Sequence, residues 1–321
     1  MKKKKILWAA GLWLMIVAWC VMAAAQGGSG RKIVCSAFVP YDWCMEILGD
    51  RAGEWDVQIL ANSGDLHNFQ PSARNIMDTA ACDLFICVGG ESDEGWLPAL
   101  LRTANNEEMT VIRMVDGVEG RKVPDVQGAH GDHAHHEEQI DEHVWMSLRN
   151  AQAICGLICD SICALDPEHA PAYRQNEEDY AEKLNALDEQ YVQMTRAAQR
   201  DTILVADRFP FVYLAGDYDI AYYAAFSGCS AESEASFETL AFLIGKAREL
   251  ELDVILVDKG SDREIAKTIA ASLKGKDVDI LELDSMQAVS SAQVSDGADY
   301  YESMKNNLAV LQKALGAPDG R

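Results

Sequence analysis

Short apolar runs alternate with amphipathic stretches through the first half of the chain. The runs are rich in Ile, Val, Leu and Cys and predict buried β-strands, and the stretches between them repeat apolar residues at helical spacing. The predicted strands are Ile33–Val39, Val57–Leu60, Leu84–Val88 and Thr110–Val115. The predicted helices are Tyr41–Gly49, Ser72–Ala80, Glu94–Ala104 and, after a Gly- and His-rich interruption, Met146–Ala164.

The same alternation returns in the second half. The predicted strands there are Thr202–Ala206, Ala221–Ala225, Val254–Asp258 and Asp279–Leu283. The predicted helices are Phe237–Glu249, Ile265–Leu273 and Tyr300–Leu315. Alternation of this kind predicts mostly parallel sheets with helices on both faces.

A long segment without glycine separates the two halves. Asp166 is its predicted N-cap, with Pro167 at the first helical position. The apolar residues of the segment recur at helical spacing: Tyr180, Leu184, Leu187, Tyr191 and Met194. A helix over 166–199 would be about 45 Å long, enough to cross both halves. The sequence therefore predicts an α/β protein with two βα lobes, 26–165 and 200–321, joined by one long helix.

Residues 1–25 have the plan of an export signal. Four lysines precede the apolar run Ile6–Ala25, which ends in an A-x-A cleavage pattern at Ala23 and Ala25. The run also approaches the length of a membrane span, so a retained anchor is one alternative, and a lipid on Cys20 is another. The sequence favours an exported protein, periplasmic or at the cell surface, and leaves tethering through the N-terminus open.

The net charge and the positions of the cysteines argue against two classes of protein, nucleic-acid-binding proteins and disulfide-rich proteins. The formal net charge of −23 excludes a nucleic-acid partner, because binding a polyanion needs a basic face. Most cysteines fall in strand-like runs or on one helix face: Cys35, Cys82, Cys87, Cys155, Cys159 and Cys163. This placement is typical of small buried apolar residues and not of a disulfide framework, although the redox state stays open.

Histidines are concentrated in one stretch, the His-rich loop 128–143. Five of the seven lie there: His130, His133, His135, His136 and His143. Neutral imidazole is the commonest protein ligand for zinc and related ions, so the clustering indicates a transition-metal cation. The first four lie in a polar context without apolar period, which predicts an accessory, solvated loop. His143 is different, because it precedes an apolar run where the loop enters ordered structure.

Four metal-compatible residues fall just after predicted strands. They are His67, His143, Asp207 and Asp284. In open parallel sheets ligands bind outside the carboxyl ends of strands, so these side chains from both lobes would converge on one divalent ion. Mixed nitrogen and oxygen ligation suits zinc or manganese.

Each of these residues also has a purely structural interpretation. His67 could cap the helix that follows Pro71, and Asp207 could pair with Arg208. Asp284 could be a helix N-cap. By the same logic Asp258-Lys259 is predicted to be an ion pair at a strand end.

Several segments resemble the metal-binding receptor proteins of bacterial ABC importers for zinc and manganese. GDLHNFQPS at 64–72 is similar to that family's D-P-H-x-(Y/F)-x-P-(S/T) loop, and DEHVWMS at 141–147 to its D-P-H-x-W-L-(D/S) motif. Three further segments resemble motifs of the same family: ACDLF with the glycines after it, DRFPF at 207–211, and Leu283-Asp284. The resemblance covers essentially the whole mature chain, and its two His loops are the most specific part.

The resemblance implies metal ligands at three positions: His67, His143 and Asp284. The family's remaining ligand, a His or Glu three residues before the motif Phe, falls here on Ala206. Four candidates could take its place: Asp207, which we favour, Glu232, Glu234 and a water molecule. Leu66 and Glu142 replace the proline that usually precedes each ligand histidine in the family.

The resemblance also implies a function. The expected protein is a monomeric extracytoplasmic receptor, not an enzyme, that captures Zn²⁺ in the cleft between its lobes. Mn²⁺ stays open as the transported ion, and the expected partner is a membrane permease with its ATPase. One alternative is an exported zinc-dependent hydrolase, against which the chain lacks HExxH and GxSxG motifs. The other is a metal-binding surface adhesin or storage protein.

Overall fold

A computed structural model describes residues 31–61, 69–123, 139–228, 235–273, 275 and 277–318. The predicted export signal and several of the candidate metal residues lie outside these ranges: His67, His130, His133, His135, His136, Glu232 and Glu234.

The N-terminal lobe is built on a parallel sheet with the strand order β2-β1-β3-β4. Its strands are β1 (Lys32–Cys35), β2 (Asp56–Ile59), β3 (Leu84–Cys87) and β4 (Thr110–Arg113). Its helices are α1 (Phe38–Leu48), α2 (Ala73–Ala80), α3 (Glu91–Glu94) and α4 (Leu97–Ala104), followed after the His-rich loop by α5 (Leu148–Leu165). The predicted strand Ile33–Val39 is too long, because the apolar run continues without a break into α1. Pro40 is tolerated there because the first turn of a helix needs no donor from it.

The C-terminal lobe repeats this arrangement with the order β6-β5-β7-β8, again parallel. Its strands are β5 (Thr202–Phe209), β6 (Ala221–Ser227), β7 (Val254–Asp258) and β8 (Asp279–Leu283). Its helices are α7 (Val212–Asp217), α8 (Phe237–Glu249), α9 (Glu264–Ser272), α10 (Ser291–Ser295) and α11 (Tyr300–Leu315). The predicted bounds of β7, β8, α8 and α11 are confirmed. In contrast, β5 continues three residues beyond Ala206, through a register shift between Val205 and Arg208.

One long helix, α6 (Ala170–Ala197), connects the lobes. Its 28 residues span about 42 Å. The predicted apolar stripe is buried, together with Tyr173. The predicted N-cap is wrong, because His169 is the N-cap and Pro171 lies in the first turn. Asp166 instead ends α5, and its buried carboxylate accepts hydrogen bonds from the side chains of Arg31, His169 and Tyr173.

A single apolar core joins the two lobes. It contains the inner faces of both sheets together with α1, α5, α6 and α11, while two smaller clusters fill the outer faces. The predicted burial of cysteines is confirmed for the described ones, which are all buried free thiols. Helix α5 is long and apolar enough to cross a membrane by composition, but most of its apolar residues are part of this core, with Leu157 exposed. The structure thus confirms the predicted α/β class, with two parallel sheets and a long helix between them.

A carboxylate of the N-terminal lobe binds the start of a helix in the C-terminal lobe. Asp42 on α1 accepts a hydrogen bond of 3.0 Å from the backbone N–H of Tyr300, the first residue of α11. The rings of Trp43 and Tyr300 pack edge to face beside it, with centroids 5.1 Å apart. Burial raises the pKa of Asp42 to about 7, the Tyr300 N–H opposes this rise, and the nearby carboxylates of Asp299 and Glu46 add to it.

This raised pKa predicts a stability that falls as the pH rises. The pKa of Asp42 in the folded protein lies above that of an unfolded aspartate, so its contribution is complete below about pH 4 and is lost as the pH passes about 7. Asp42→Asn keeps an oxygen acceptor for Tyr300 and removes the charge. We expect urea denaturation to show that the unfolding free energy of the wild type falls between about pH 5 and pH 8. The fall should be smaller in the variant by about 2 kcal/mol. Asp116→Asn, at an exposed carboxylate, should follow the wild type; equal pH dependence in all three proteins would contradict the prediction.

Candidate metal centre

The segment Asp141–Ser147 is buried between the two lobes. An isolated antiparallel β-bridge between Lys122 and Ile140 lies just before this segment. Every residue of the segment is buried. The indole N–H of Trp145 donates to the carbonyl of Ser285 at 2.9 Å, and the Tyr300 hydroxyl donates to the carbonyl of Trp145 at 2.6 Å. Side chains and backbone of the C-terminal lobe therefore hold this segment in place.

The imidazole of His143 is oriented by a buried carboxylate. His143 and Asp141 are both fully buried, and the His143 Nδ1 lies 2.9 Å from Asp141 Oδ1. The same oxygen accepts the backbone N–H of His143 at 2.9 Å. Burial alone would lower the pKa of His143, but Asp141, Glu142 and Gln287 together more than offset it and raise the pKa to about 9.

This pairing is the arrangement that proteins use for histidine metal ligands. A carboxylate on one ring nitrogen fixes the tautomer and the ring plane and leaves the other nitrogen for a metal ion. Sequence reasoning missed the role of Asp141. The available signal was its place two residues before a histidine, in a segment that passes from a polar loop into an apolar run.

Glu142 replaces the expected proline with a hydrogen bond. Its side chain is 2 % exposed and accepts the backbone N–H of Ser92 at 2.8 Å. Gly90 makes this approach possible, because a Cβ atom there would collide with the Glu142 side chain. A buried carboxylate at the start of α3 thus anchors the histidine segment to the N-terminal lobe, at the position where the resemblance implies a proline.

The C-terminal lobe places three aspartates around one cavity. It has a volume of about 600 Å³, and Asp207, Asp258 and Asp284 line it at the carboxyl ends of β5, β7 and β8. Asp207 lies at the register shift of β5, and its Oδ1 accepts the backbone N–H of Arg208 at 2.8 Å. The residue before it, Ala206, is 2 % exposed and packs into the outer core cluster. Asp207 therefore follows a buried apolar residue at an irregular point of the strand, and both residues line the cavity.

Asp284 is held by several partners at the end of β8. Its Oδ1 accepts the backbone N–H of Met286 at 3.0 Å, which closes a turn. Its Oδ2 accepts from the Lys259 ammonium at 2.7 Å and from the Ser303 hydroxyl at 3.3 Å. The N-cap interpretation of Asp284 is wrong, since the N-cap of the following helix α10 is Ser290.

Asp258 does not form the predicted ion pair with Lys259, whose ammonium binds Asp284 instead. The Asp258 carboxylate accepts the Ser285 hydroxyl at 2.8 Å and the backbone N–H groups of Ser285 and Lys259 at 3.1 and 2.9 Å. Burial raises its pKa to about 6; the Ser285 hydrogen bonds oppose this rise, and the nearby Asp207 carboxylate adds to it. Asp258 thus fixes the segment that carries Asp284, a role that the sequence did not reveal.

A tight contact places His143 at the carboxyl end of the C-terminal sheet. A Cβ atom on Gly228, just after β6, would lie 3.2 Å from the His143 Cε1 and 3.0 Å from the carbonyl oxygen of Phe209. The imidazole of one lobe is therefore close to the strand ends of the other.

The structure brings together only part of the predicted ligand set. Asp207 and Asp284 line the same cavity, and His143 lies at the adjoining lobe interface. Among the described residues, no three His, Cys, Asp or Glu side chains stand close enough together to hold a metal ion. His67 lies outside the described ranges. The capping role considered for it belongs to Ser72, which forms a capping box with Asn75 at the start of α2. The complete ligand set remains a prediction.

Comparison with known proteins points to metal uptake. The family model described as zinc-uptake complex component A, periplasmic, matches residues 33–314. The zinc-binding lipoprotein AdcA of Streptococcus pneumoniae is 28 % identical over 319 residues, which are 98 % of this chain and 61 % of AdcA. The high-affinity zinc uptake system protein ZnuA of Bacillus subtilis is 26 % identical over 98 % of both chains. The crystal structure of the metal-dependent lipoprotein YcdH of B. subtilis has a TM-score of 0.71 and 25 % identity, and covers 89 % of this chain and 99 % of that one.

Two glycines of the C-terminal lobe test the packing around His143. Gly228→Ala places a methyl group against the backbone of Phe209 and Pro210, which cannot yield, and against the His143 ring. We expect it to lower the free energy of unfolding by about 1–3 kcal/mol in chemical denaturation. The control is Gly245→Ala inside α8, where nothing lies within 4 Å and the gain in helix propensity should stabilise by about 0.5–1 kcal/mol. If both variants were stabilised, the position assigned to the His143 ring would be incorrect.

Proposed function

The chain belongs to the family of periplasmic zinc-uptake component A proteins, and from this premise we propose that it is an extracytoplasmic receptor that captures Zn²⁺ between its lobes. The observation that carries the proposal is the fully buried His143, whose Nδ1 is fixed by the carboxylate of Asp141 at the lobe interface. The hydrolase alternative is set aside, since the family is one of uptake components.

The proposed ligands are His67, His143, Asp207 and Asp284. Two imidazoles and two carboxylates give zinc the four ligands that it takes in closed sites, and the same donors accept Mn²⁺. Two observations support this set. Asp207 and Asp284 line one cavity, and His143 lies close to the carboxyl end of the C-terminal sheet. Asp207 is favoured over Glu232, Glu234 or water because it lies next to Ala206 at the irregularity of β5.

The proposed cellular setting is outside the cytoplasmic membrane. A relative named as a lipoprotein and a family described as periplasmic support it, as do the export-signal pattern of residues 1–25 and the net charge of −23. The protein would act as a monomer and deliver its ion to an ABC permease and its ATPase. The four accessory histidines would raise the local zinc concentration and take no part in the cleft site. The chain spans 61 % of the length of AdcA.

Removal of either ligand histidine tests the proposal directly. We expect His143→Ala and His67→Ala to lower the affinity for Zn²⁺ by about 100-fold or more in calorimetric titration of metal-free protein. Deletion of 130–136 should leave the affinity of the cleft site unchanged. His169→Ala is the matched control, because this histidine bonds to Asp166 next to α6. Wild-type affinity in a folded His143→Ala protein would refute the site.

Asp207→Ala tests the proposed ligand that has no counterpart among the ligands of the family motif. Loss of one carboxylate from a four-ligand site should weaken zinc binding about 10- to 100-fold in the same titration. Asp253→Ala is the control, since Asp253 precedes β7 at the opposite end of the sheet and pairs with Arg200. An unchanged affinity would transfer the third ligand position to Glu232, Glu234 or water and leave the rest of the proposal intact.

A further inference from the structure

The carboxylate of Asp284 already has a cationic partner within the chain. Lys259 Nζ lies 2.7 Å from Asp284 Oδ2; the Lys259 side chain is 50 % exposed and that of Asp284 15 %. Of the described basic side chains, Lys259 is the one ion-paired with Asp284. The remaining hydrogen bonds of this carboxylate come from neutral groups, Met286 N–H and the Ser303 hydroxyl.

The position of Lys259 is set by the backbone, whereas its side chain is free to move. Its N–H donates to the carbonyl of Leu283 at 2.8 Å, which extends the pairing of β7 with β8. The next residue, Gly260, has a φ of +91°, so the chain turns away immediately after it. The base of the side chain is thus fixed beside Asp284, while its half-exposed ammonium can leave the carboxylate and enter water at little cost.

The cavity is lined by more carboxylates than basic groups, with Arg208 and Lys259 as its basic side chains, and the Lys259 ammonium offsets part of this excess negative charge. Asp207, Asp258 and Asp284 line one cavity, and the charge of Asp207 opposes ionisation of Asp258. A cation on Asp284 reduces this repulsion when no metal is bound. A zinc ion on the same carboxylate, at about 2.0–2.2 Å from its oxygen, would be repelled by an ammonium retained there. The two cations therefore compete for the negative charge of Asp284.

We propose that Lys259 is a tethered cation that competes with the captured metal ion for Asp284. This inference rests on the proposed function, and specifically on Asp284 as a ligand. Lys259 stabilises the empty site, is displaced when the metal arrives, and returns to the carboxylate when the metal leaves. Because it binds Asp284 only in the metal-free state, it lowers the affinity and speeds release, as a receptor that must hand over its cargo requires.

Lys259→Met provides the test, since methionine keeps the length of the side chain without its charge. We expect Zn²⁺ affinity in calorimetric titration to rise about tenfold, with a correspondingly slower release to a chelator in stopped-flow measurements. Lys267→Met is the matched control, because Lys267 pairs with Glu264 on α9 and its removal changes the net charge equally. Lys259→Arg, which keeps the charge, should retain wild-type affinity.

A double mutant separates local competition from a general charge effect. In an Asp284→Asn background, Lys259→Met should change the zinc affinity no more than Lys267→Met does, because the shared carboxylate is gone. In the metal-free protein, Lys259→Met should lower the denaturation midpoint relative to Lys267→Met.

The outcomes distinguish the two proposals. Equal affinities of Lys259→Met and Lys267→Met, or an unchanged affinity in Asp284→Asn, would overturn the competition while a loss of binding in His143→Ala still upheld the receptor function. Absence of zinc binding by the wild type, or no effect of His143→Ala, would instead refute the receptor function itself.

Discussion

The buried pair of Asp141 and His143 is the interaction on which the rest of the site depends. An imidazole without solvent contact needs a polar partner, and a carboxylate in the same position needs several donors. Asp141 receives the ring Nδ1–H and the backbone N–H of His143, while the backbone carbonyl of Asp141 accepts the hydroxyl of Tyr213 from the C-terminal lobe. The pair is therefore stable only while the two lobes stay in their present positions.

One apolar core shared by both lobes fixes their relative position. Helix α6 packs against α5, α1 and α11, and the Tyr191 hydroxyl in its C-terminal third donates to the carbonyl of Met304 at 2.6 Å. A large hinge opening would break this core along its length, at a cost far above the few kcal/mol of an ordinary domain motion. Both sheets repeat one strand order, so the carboxyl ends of β1 and β3, and of β5 and β7, form equivalent switch points of the kind where α/β sheets bind ligands. Asp207 and Asp258 lie at the second of these.

The pattern of apolar and polar residues predicted the ends of strands and helices correctly where polar turn residues flank them. The bounds of β7, β8, α8 and α11 follow directly from periodicity and flanking turn residues, and the stripe of α6 follows from its spacing. The start of α1 was missed because strand and helix share one apolar run, and the end of β5 because two charged residues continue the strand through an irregularity. The pairing of Lys259 with Asp284 depends on β7 lying beside β8, and strand order is a tertiary property that no local pattern contains. The same applies to Asp141, whose role exists only when both lobes enclose it.

Charge balance links the two lobes of the site. The N-terminal lobe contributes His143, whose raised pKa reflects a carboxylate that stabilises positive charge on the ring. The C-terminal lobe contributes carboxylates that repel one another; Asp258 is stabilised by hydrogen bonds from Ser285, and the Lys259 ammonium offsets the charge of Asp284. Each lobe thus carries a positive group that offsets its carboxylates, a protonated His143 in one and the Lys259 ammonium in the other. At the proposed site a divalent cation would replace both kinds of compensation, so its binding free energy would be the difference between the metal bonds and the internal bonds that it displaces. The internal partners of the ligands therefore help to set the affinity of the site, as the ligands themselves do.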